Sequence, residues 1–535
     1  MPLKSTICSK GVHMFKNVRH LVFFPTFLIL TFGIVASFVD LNAFLKTVSA
    51  INSWLLAHFA WFLSGMSLMM VAACTIVFTS PLGRVRIGGA DATPLISLKQ
   101  LFSITLCTTV AVGALFWATA EPLYHLYSPP ASWGIEPNSG QAKLFTMGNI
   151  FLEWGLTPYA IYGVPAILFA LVFYNYKAPF SVTSLFYPLL GNRLGDSNSK
   201  TRQLIDSLCL YSLVAGMASS LGTGSITLAG ALKQIFPALN NYHSATLAAV
   251  MFAIVLTFAL SAVSGLKKGI AKLSSLNTWI MLGTIIFVFT FGPTVKILNF
   301  GMESLGYYLN NFFSLSLFTG AASNDPWPGW WPVFYWAVWF SWAPISCLFL
   351  GRILKGYTVR TAILMIVILP SMFSMAWMTI LGTTAMEVDA ATGGALNTLL
   401  NSNGVDAVLY ETFRHLPISG VMIVVLFFVG FLNYVTAADS STDAISNLCT
   451  SGVFSENVES NLSLPQKITW AAIIGFTAFI MVNYTGLKGV KMLANLGGFP
   501  AALVCTAAMV ALLKLVYITS ADASKNDAAQ ELPEP

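Results

Sequence analysis

Long apolar runs separated by short polar gaps dominate the chain. Twelve runs are free, or nearly free, of Lys, Arg, Asp and Glu: 21–39, 59–79, 101–120, 149–176, 207–232, 244–266, 273–295, 328–351, 361–386, 416–438, 468–487 and 492–513. About 20 apolar residues cross the hydrocarbon layer as a helix. A backbone in lipid must satisfy its own hydrogen bonds, which leaves helix as the form for runs of this length. The pattern predicts an all-α membrane protein with twelve transmembrane helices. The first run is too long and continuous for a signal sequence and is read as a retained span. The gaps 296–327 and 387–415 carry apolar positions at helical spacing, such as Leu298, Met302, Leu305 and Leu309. They are predicted as interfacial or re-entrant helices lying outside the bundle. Residues 1–20 are expected as an N-terminal segment, 21–519 as one membrane domain and 520–535 as a short, polar, disordered tail.

Composition sharpens this picture. Hydrophobic residues make up 56% of the 535 and charged residues 9%, against about 25% charged in soluble domains. The formal net charge is +6, but the basic residues sit in short gaps. Twenty of the 27 Lys and Arg fall in alternate gaps that include both termini, and seven in the others. The excess of Lys and Arg in cytoplasmic loops then predicts a bacterial inner-membrane protein with both termini cytoplasmic, and it removes any need for a nucleic-acid partner. The seven cysteines form no C-x-x-C, so neither a disulfide framework nor a metal site is expected. No cofactor is expected.

Three stretches could carry chemistry. In the fourth run, Trp154, Tyr159 and Tyr162 can frame one cavity. In the eighth, Trp336, Trp339 and Trp342 fall at i, i+3, i+6, nearly one helix face. In the third, small residues and Pro122 permit a broken helix. A quaternary ammonium has no N–H and cannot donate a hydrogen bond. Ring faces offer it negative potential without the cost of a buried countercharge, each worth about 0.5–2 kcal/mol. The competing reading is a belt of interfacial or lipid-facing Trp and Tyr.

At these residues the sequence resembles the betaine/choline/carnitine transporter family, from the second run to the twelfth. The likeness is carried by FWATAEPL at Phe116–Leu123, by Trp154 to Tyr162, by Ile205-Asp206 with Ser220-Leu221-Gly222 and Gly224, by FYWAVWFSWAP and FLGRILKGYTVR between Phe334 and Arg360, and by TAADS at Thr436–Ser440. The resemblance implies LeuT-type inverted five-helix repeats, about 101–295 and 328–513, behind two extra N-terminal spans, assembled as a homotrimer. It implies a substrate box of Trp154, Tyr159, Tyr162 and Trp339, with Trp342 and Phe116 beside it. It also implies a kink at Thr109, Ala111 and Gly113, where the family has three glycines. Two of these now carry side chains, which narrows the site or supplies a Thr109 hydroxyl. Tyr159 stands where the family has Trp, and Glu153 where it has His or an aromatic residue. Glu153 is read either as a snorkelling or structural residue, or as a proton-coupling group or ion-pair partner for a cationic solute.

The resemblance also bears on the coupling ion. Where sodium-driven members place two Thr hydroxyls in the fifth span, this chain has Leu213 and Met217. In the tenth span it has Thr436 followed by Ala437 instead of Ser. Proton symport is therefore expected, with Glu153 as the proton group; a weakened sodium site at Thr436 or substrate exchange are the alternatives. Glu121 is the other candidate proton group on the substrate path, but it sits in an Ala-Glu-Pro turn and is read as structural, so Glu153 is favoured. A channel or receptor is the reading outside this class. An enzyme is not expected, because the six histidines form no intramembrane pair and no Ser/His/Asp set falls at one depth.

Overall fold

The computed structural model describes residues 18–109, 112–191, 199–264, 267–449 and 464–523. Among them helices dominate and no strand forms. In chain order the main helices are α1 (His20–Val39), α2 (Leu41–Thr79), α3 (Leu98–Thr109), α4 (Val112–Tyr127), α5 (Gly140–Trp154), α6 (Leu156–Tyr174), α7 (Lys200–Ile235), α8 (His243–Ser264) and α9 (Lys267–Phe291). They continue as α10 (Thr294–Ser316), α11 (Pro332–Ile353), α12 (Leu369–Ala391), α13 (Ala395–Asn403), α14 (Val405–Arg414), α15 (Ser419–Cys449), α16 (Leu464–Thr485) and α17 (Leu487–Ala523).

Each apolar run of the sequence falls mainly on helix where it is described. Among the described residues, nine helical stretches are long and apolar enough to cross a membrane, ten counting Leu276–Phe291 with Thr294–Ser316, which bend by 106°. Of the run 101–120, residues 101–109 lie on α3 and 112–120 on α4. The run 416–438 lies on α15 from Ser419 onward.

Local chemistry explains the breaks. Gly155 separates α5 from α6 at φ −97, ψ −127. A Cβ there would stand 2.3 Å from the Phe151 carbonyl oxygen, so only glycine permits the bend. Pro158 follows in the first turn of α6, where a missing N–H costs nothing. In the ninth run, Val359–Ile363 is α-helical and Leu364–Ile368 forms a π turn before α12. Pro370 cannot return an N–H to Ile366, and the widened turn absorbs that mismatch.

Burial grades from the outside inward. On α1 and α2, Phe32, Phe38 and Trp61 are exposed. On α6 every residue from Thr157 to Tyr174 is buried. A helix that is apolar on all faces belongs at a bundle's centre. Around it, α11 packs on α6, α7 and α17. The α11–α17 contact depends on Gly498, whose Cβ would lie 2.1 Å from the Ala337 carbonyl oxygen. In lipid, where apolar side chains gain little by leaving solvent, such close backbone approach is a main source of helix association.

Helix ends of like parity meet. Arg19 pairs with Asp206 at 2.7 Å, Arg360 Nε donates to Phe78 O at 2.7 Å and Arg86 bridges to Thr358. Glu121, Glu153 and Tyr335 meet in a separate cluster.

The two long outer gaps behave differently. α10 turns away from α9 and exposes Leu298, Met302, Leu309 and Phe313, as an interfacial helix would. The expectation that residues 387–415 lie outside the bundle does not hold for α14. Val405, Val408, Leu409, Tyr410 and Phe413 are buried, and Tyr410 Oη donates to Thr227 O of α7 at 2.9 Å. Its apolar positions face the bundle, and the absent side chain of Gly230 makes room for Asp406, whose Oδ2 lies 2.5 Å from where a Cβ would be.

That docking carries a pH signature. Burial pushes the Asp406 carboxyl up to about 6, against a partial counter-pull from Lys233. A carboxyl whose native value is raised binds its proton more tightly when folded, so its contribution favours the fold at low pH and is lost as pH rises through about 6. Asp406→Asn is expected to raise the melting temperature in detergent at pH 7.5, by the equivalent of about 1–2 kcal/mol. The gain should shrink to nothing near pH 4. A pH-independent gain would show that charge plays no part.

Candidate solute-binding site

The site is assembled from helix breaks and one helix face. Trp154 ends α5, while Tyr159 and Tyr162 lie one turn apart on α6 just past the Gly155 break. Trp339 projects from α11, and all four rings are buried. Trp339 is the hub. Its ring centroid lies 5.4 Å from Trp154, edge-on, 5.7 Å from Tyr162, edge-on, and 6.5 Å from Tyr159, tilted. Trp339 Nε1 donates to the backbone oxygen of Glu153 at 3.0 Å, which fixes the indole across the end of α5.

The other expected residues divide. Gly113 belongs to the cluster, since a Cβ there would lie 3.3 Å from Trp154 Cη2. Phe116 is buried one turn along α4 and meets Trp117 edge-on at 5.0 Å. Trp342 is half-buried and turns to α7, with Nε1 3.1 Å from where a Cβ of Gly216 would be. It supports the α7–α11 contact and takes no part in the four-ring cluster. Ala111 lies outside the described residues, as do the side chains of Thr109 and Thr436. Trp336 is fully buried, and its Nε1 has no hydrogen-bond partner among the described residues.

Next to the rings lies a buried acidic cluster. Glu153 is completely enclosed, as are Glu121 and His125 of α4. His125 Nε2 stands 3.4 Å from Glu121 Oε1 and 3.7 Å from Glu153 Oε2. Glu121 Oε2 accepts hydrogen bonds from Trp154 Nε1 at 3.0 Å and from Tyr335 Oη of α11. Among the described residues, neither oxygen of Glu153 has a hydrogen-bond donor, and Glu121 Oε1 has none either. Beyond His125, the Trp331 ring meets the imidazole edge-on at 4.5 Å. On Trp331 rests the Lys491 ammonium, 4.0 Å from its centroid and 4.7 Å from that of Phe334, donating to Trp330 O at 2.5 Å.

Sequence reasoning placed Glu153 in this region but read Glu121 as a turn residue and passed over His125, Tyr335 and Lys491. One signal was available: Glu121 and His125 are spaced i, i+4, which puts a carboxylate and an imidazole on one helix face. Glu121, His125 and Glu153 offer one donor atom each within 4.8 Å of one another. That set could hold a divalent cation, but the match is poor. Metal-bound histidines almost always donate their second nitrogen to an orienting acceptor, and His125 Nδ1 has no partner. The oxygens without donors are as well satisfied by a proton.

An independent comparison bears on these residues. The family described as BCCT, betaine/carnitine/choline family transporter, matches residues 21–520. The chain belongs to this family. BCCT proteins are membrane transporters, not enzymes, and the multi-pass helical bundle fits that role. The chain is 29% identical to a probable glycine betaine transporter of Desulfitobacterium hafniense (strain Y51), over 88% of its own length and 92% of the relative's. It is 29% identical to the glycine betaine transporter OpuD of Bacillus subtilis (strain 168), covering 83% and 84%. It is 27% identical to an ectoine/hydroxyectoine transporter of Virgibacillus pantothenticus, covering 86% and 89%.

Proposed function

We propose that this BCCT protein takes up a small quaternary-ammonium or related zwitterionic solute, of the betaine, choline, carnitine or dimethylsulfonio type, and couples its entry to a proton. The observation that carries the solute class is the four-ring cluster centred on Trp339. Rings of this kind hold a methylated cation by their faces and leave its charge without a buried counter-ion. The names of the relatives, which include glycine betaine and ectoine carriers, support the same class. A thermal-shift screen of the purified protein against betaine, choline, carnitine, a dimethylsulfonio compound and small amino acids tests it. Stabilisation by none of the methylated cations would reject the class.

The proton reading rests on Glu153. Its two oxygens have no donor, and a second carboxylate faces it across His125. Two adjacent buried carboxylates repel, whereas a proton on Glu153 turns the approach into an O–H donation to Glu121 Oε1. Sodium has little to hold it at the corresponding place in α7. Leu213 and Met217 are buried there, and the Met217 carbonyl already accepts from Tyr434 Oη at 3.2 Å.

For the architecture we propose twelve crossings, with 101–295 and 328–513 as inverted repeats of the LeuT type, in the inner membrane with both termini cytoplasmic. The likeness to the family supports a homotrimer, which light scattering of the purified protein tests. Cysteines placed at Ser5 and Ser520 should react with impermeant reagents only in inside-out vesicles. Labelling of either in intact cells would overturn the topology.

A further inference from the structure

We propose that Glu121 is a positioning residue that transmits the protonation of Glu153 to the aromatic box. The inference rests on the proton reading above and adds the route by which proton and solute sense each other. Glu121 is divided between two tasks. Its Oε2 holds the box: it accepts from Trp154 Nε1 at 3.0 Å and from Tyr335 Oη. Those two rings meet edge-on at 5.3 Å, and Trp154 in turn meets Trp339 at 5.4 Å. Its Oε1 faces the proton: it has no donor and looks toward His125 Nε2 and the Glu153 carboxyl.

The consequences follow from hydrogen-bond chemistry. With a proton on Glu153, Oε1 gains a donor, and the Glu121 carboxylate is held between the proton on one side and the indole and phenol on the other. Without that proton, and with His125 in its neutral form between the two, a second charge approaches Oε1 and the carboxylate is driven off the geometry that anchors Trp154. Hydrogen bonds to an ionised acceptor are about twice as strong as neutral ones, so loosening Glu121 frees the Trp154 indole. The box is then set for a cation when the proton is present. Reciprocity requires that bound solute favour the proton in return, which is the thermodynamic requirement of a symporter.

The neighbours leave this arrangement intact. His125 lies on the same helix, and Glu153 and Tyr335 face Glu121 from α5 and α11. Lys491 of α17 stands behind the Trp331 ring and makes no ion pair within 4 Å among the described residues. On the helices packed against the other faces of α4, Asp389 accepts from Tyr127 Oη at 2.7 Å and Asp406 sits on Gly230.

The test is glycine betaine binding to the full-length protein in detergent, measured by calorimetry at pH 6, 7 and 8.5. Wild type is expected to bind at least roughly fivefold more tightly at pH 6 than at pH 8.5, within the usual range of allosteric coupling. Glu121→Gln should flatten that dependence to less than about twofold, whereas Glu121→Asp, which keeps the charge, should weaken binding and retain part of the slope. Trp154→Phe removes the indole N–H without touching any acid and should flatten the slope as well, so the inference stays testable if Glu121→Gln does not fold. A Glu121→Gln or Trp154→Phe protein that binds more weakly by the same factor at every pH would leave Glu121 with a merely structural role and overturn the inference. Glu153→Gln separates this from the proton reading. A slope lost in Glu153→Gln but intact in Glu121→Gln and Trp154→Phe refutes only the link. A slope lost in Glu121→Gln but intact in Glu153→Gln refutes Glu153 as the proton carrier. No pH dependence in wild type, or no binding at any pH, overturns both.

Discussion

Trp339→Leu is expected to lose most solute uptake in proteoliposomes, while Trp339→Phe keeps a measurable part. Both variants forfeit the hydrogen bond from Trp339 Nε1 to the Glu153 backbone oxygen, so that loss cancels in the comparison. Both also leave space among Trp154, Tyr159 and Tyr162. What differs is the ring face. One face contributes about 0.5–2 kcal/mol toward a cation, so the half-saturating solute concentration of the Leu variant should exceed that of the Phe variant by roughly 2- to 30-fold. Equal behaviour of Leu and Phe would mean a merely apolar pocket. Trp154→Leu should be as damaging, since Trp154 supplies a ring and also occupies Glu121.

The second large effect concerns the driving force. An inward proton gradient should drive accumulation in sodium-free buffer, and Glu153→Gln should reduce that accumulation to near equilibration. A sodium ion stripped of water needs several oxygen ligands, and each one missing costs on the order of several kcal/mol. Leu213 and Met217 offer none from their side chains, and the Met217 carbonyl is taken by Tyr434. A proton needs one basic oxygen, which the enclosed Glu153 provides. Glutamine keeps the size and polarity of Glu153 but cannot exchange a proton, so solute counterflow should survive in the variant while uphill uptake does not. Strict dependence on an inward sodium gradient with no response to pH would reject the mechanism and turn attention to Thr436.

The helical membrane bundle was legible from the chain because lipid imposes a one-dimensional rule. Each crossing segment must be apolar along its own length, whatever it touches. The ring cluster was legible in part for a related reason, since helical spacing alone sets Tyr159 by Tyr162 and repeats Trp along one face of α11. Spacing could not say which of Trp336, Trp339 and Trp342 joins the ring cluster. Trp339 does so because it lies opposite the Gly155 break, whereas Trp342 meets the bare face of Gly216.

The chain by itself settled the class of solvent, the apolar runs and the family, since all of these are written in local composition and order. Only the tertiary structure decided the rest. It drew α14 into the bundle, where Asp406 fits only because Gly230 across the interface has no side chain. It placed Glu121 within reach of Trp154, 33 residues on, and of Tyr335, 214 residues on. It set a second carboxylate and an imidazole against Glu153. The energy of a buried charge depends on what stands within a few ångströms of it in space, and sequence distance carries no record of that.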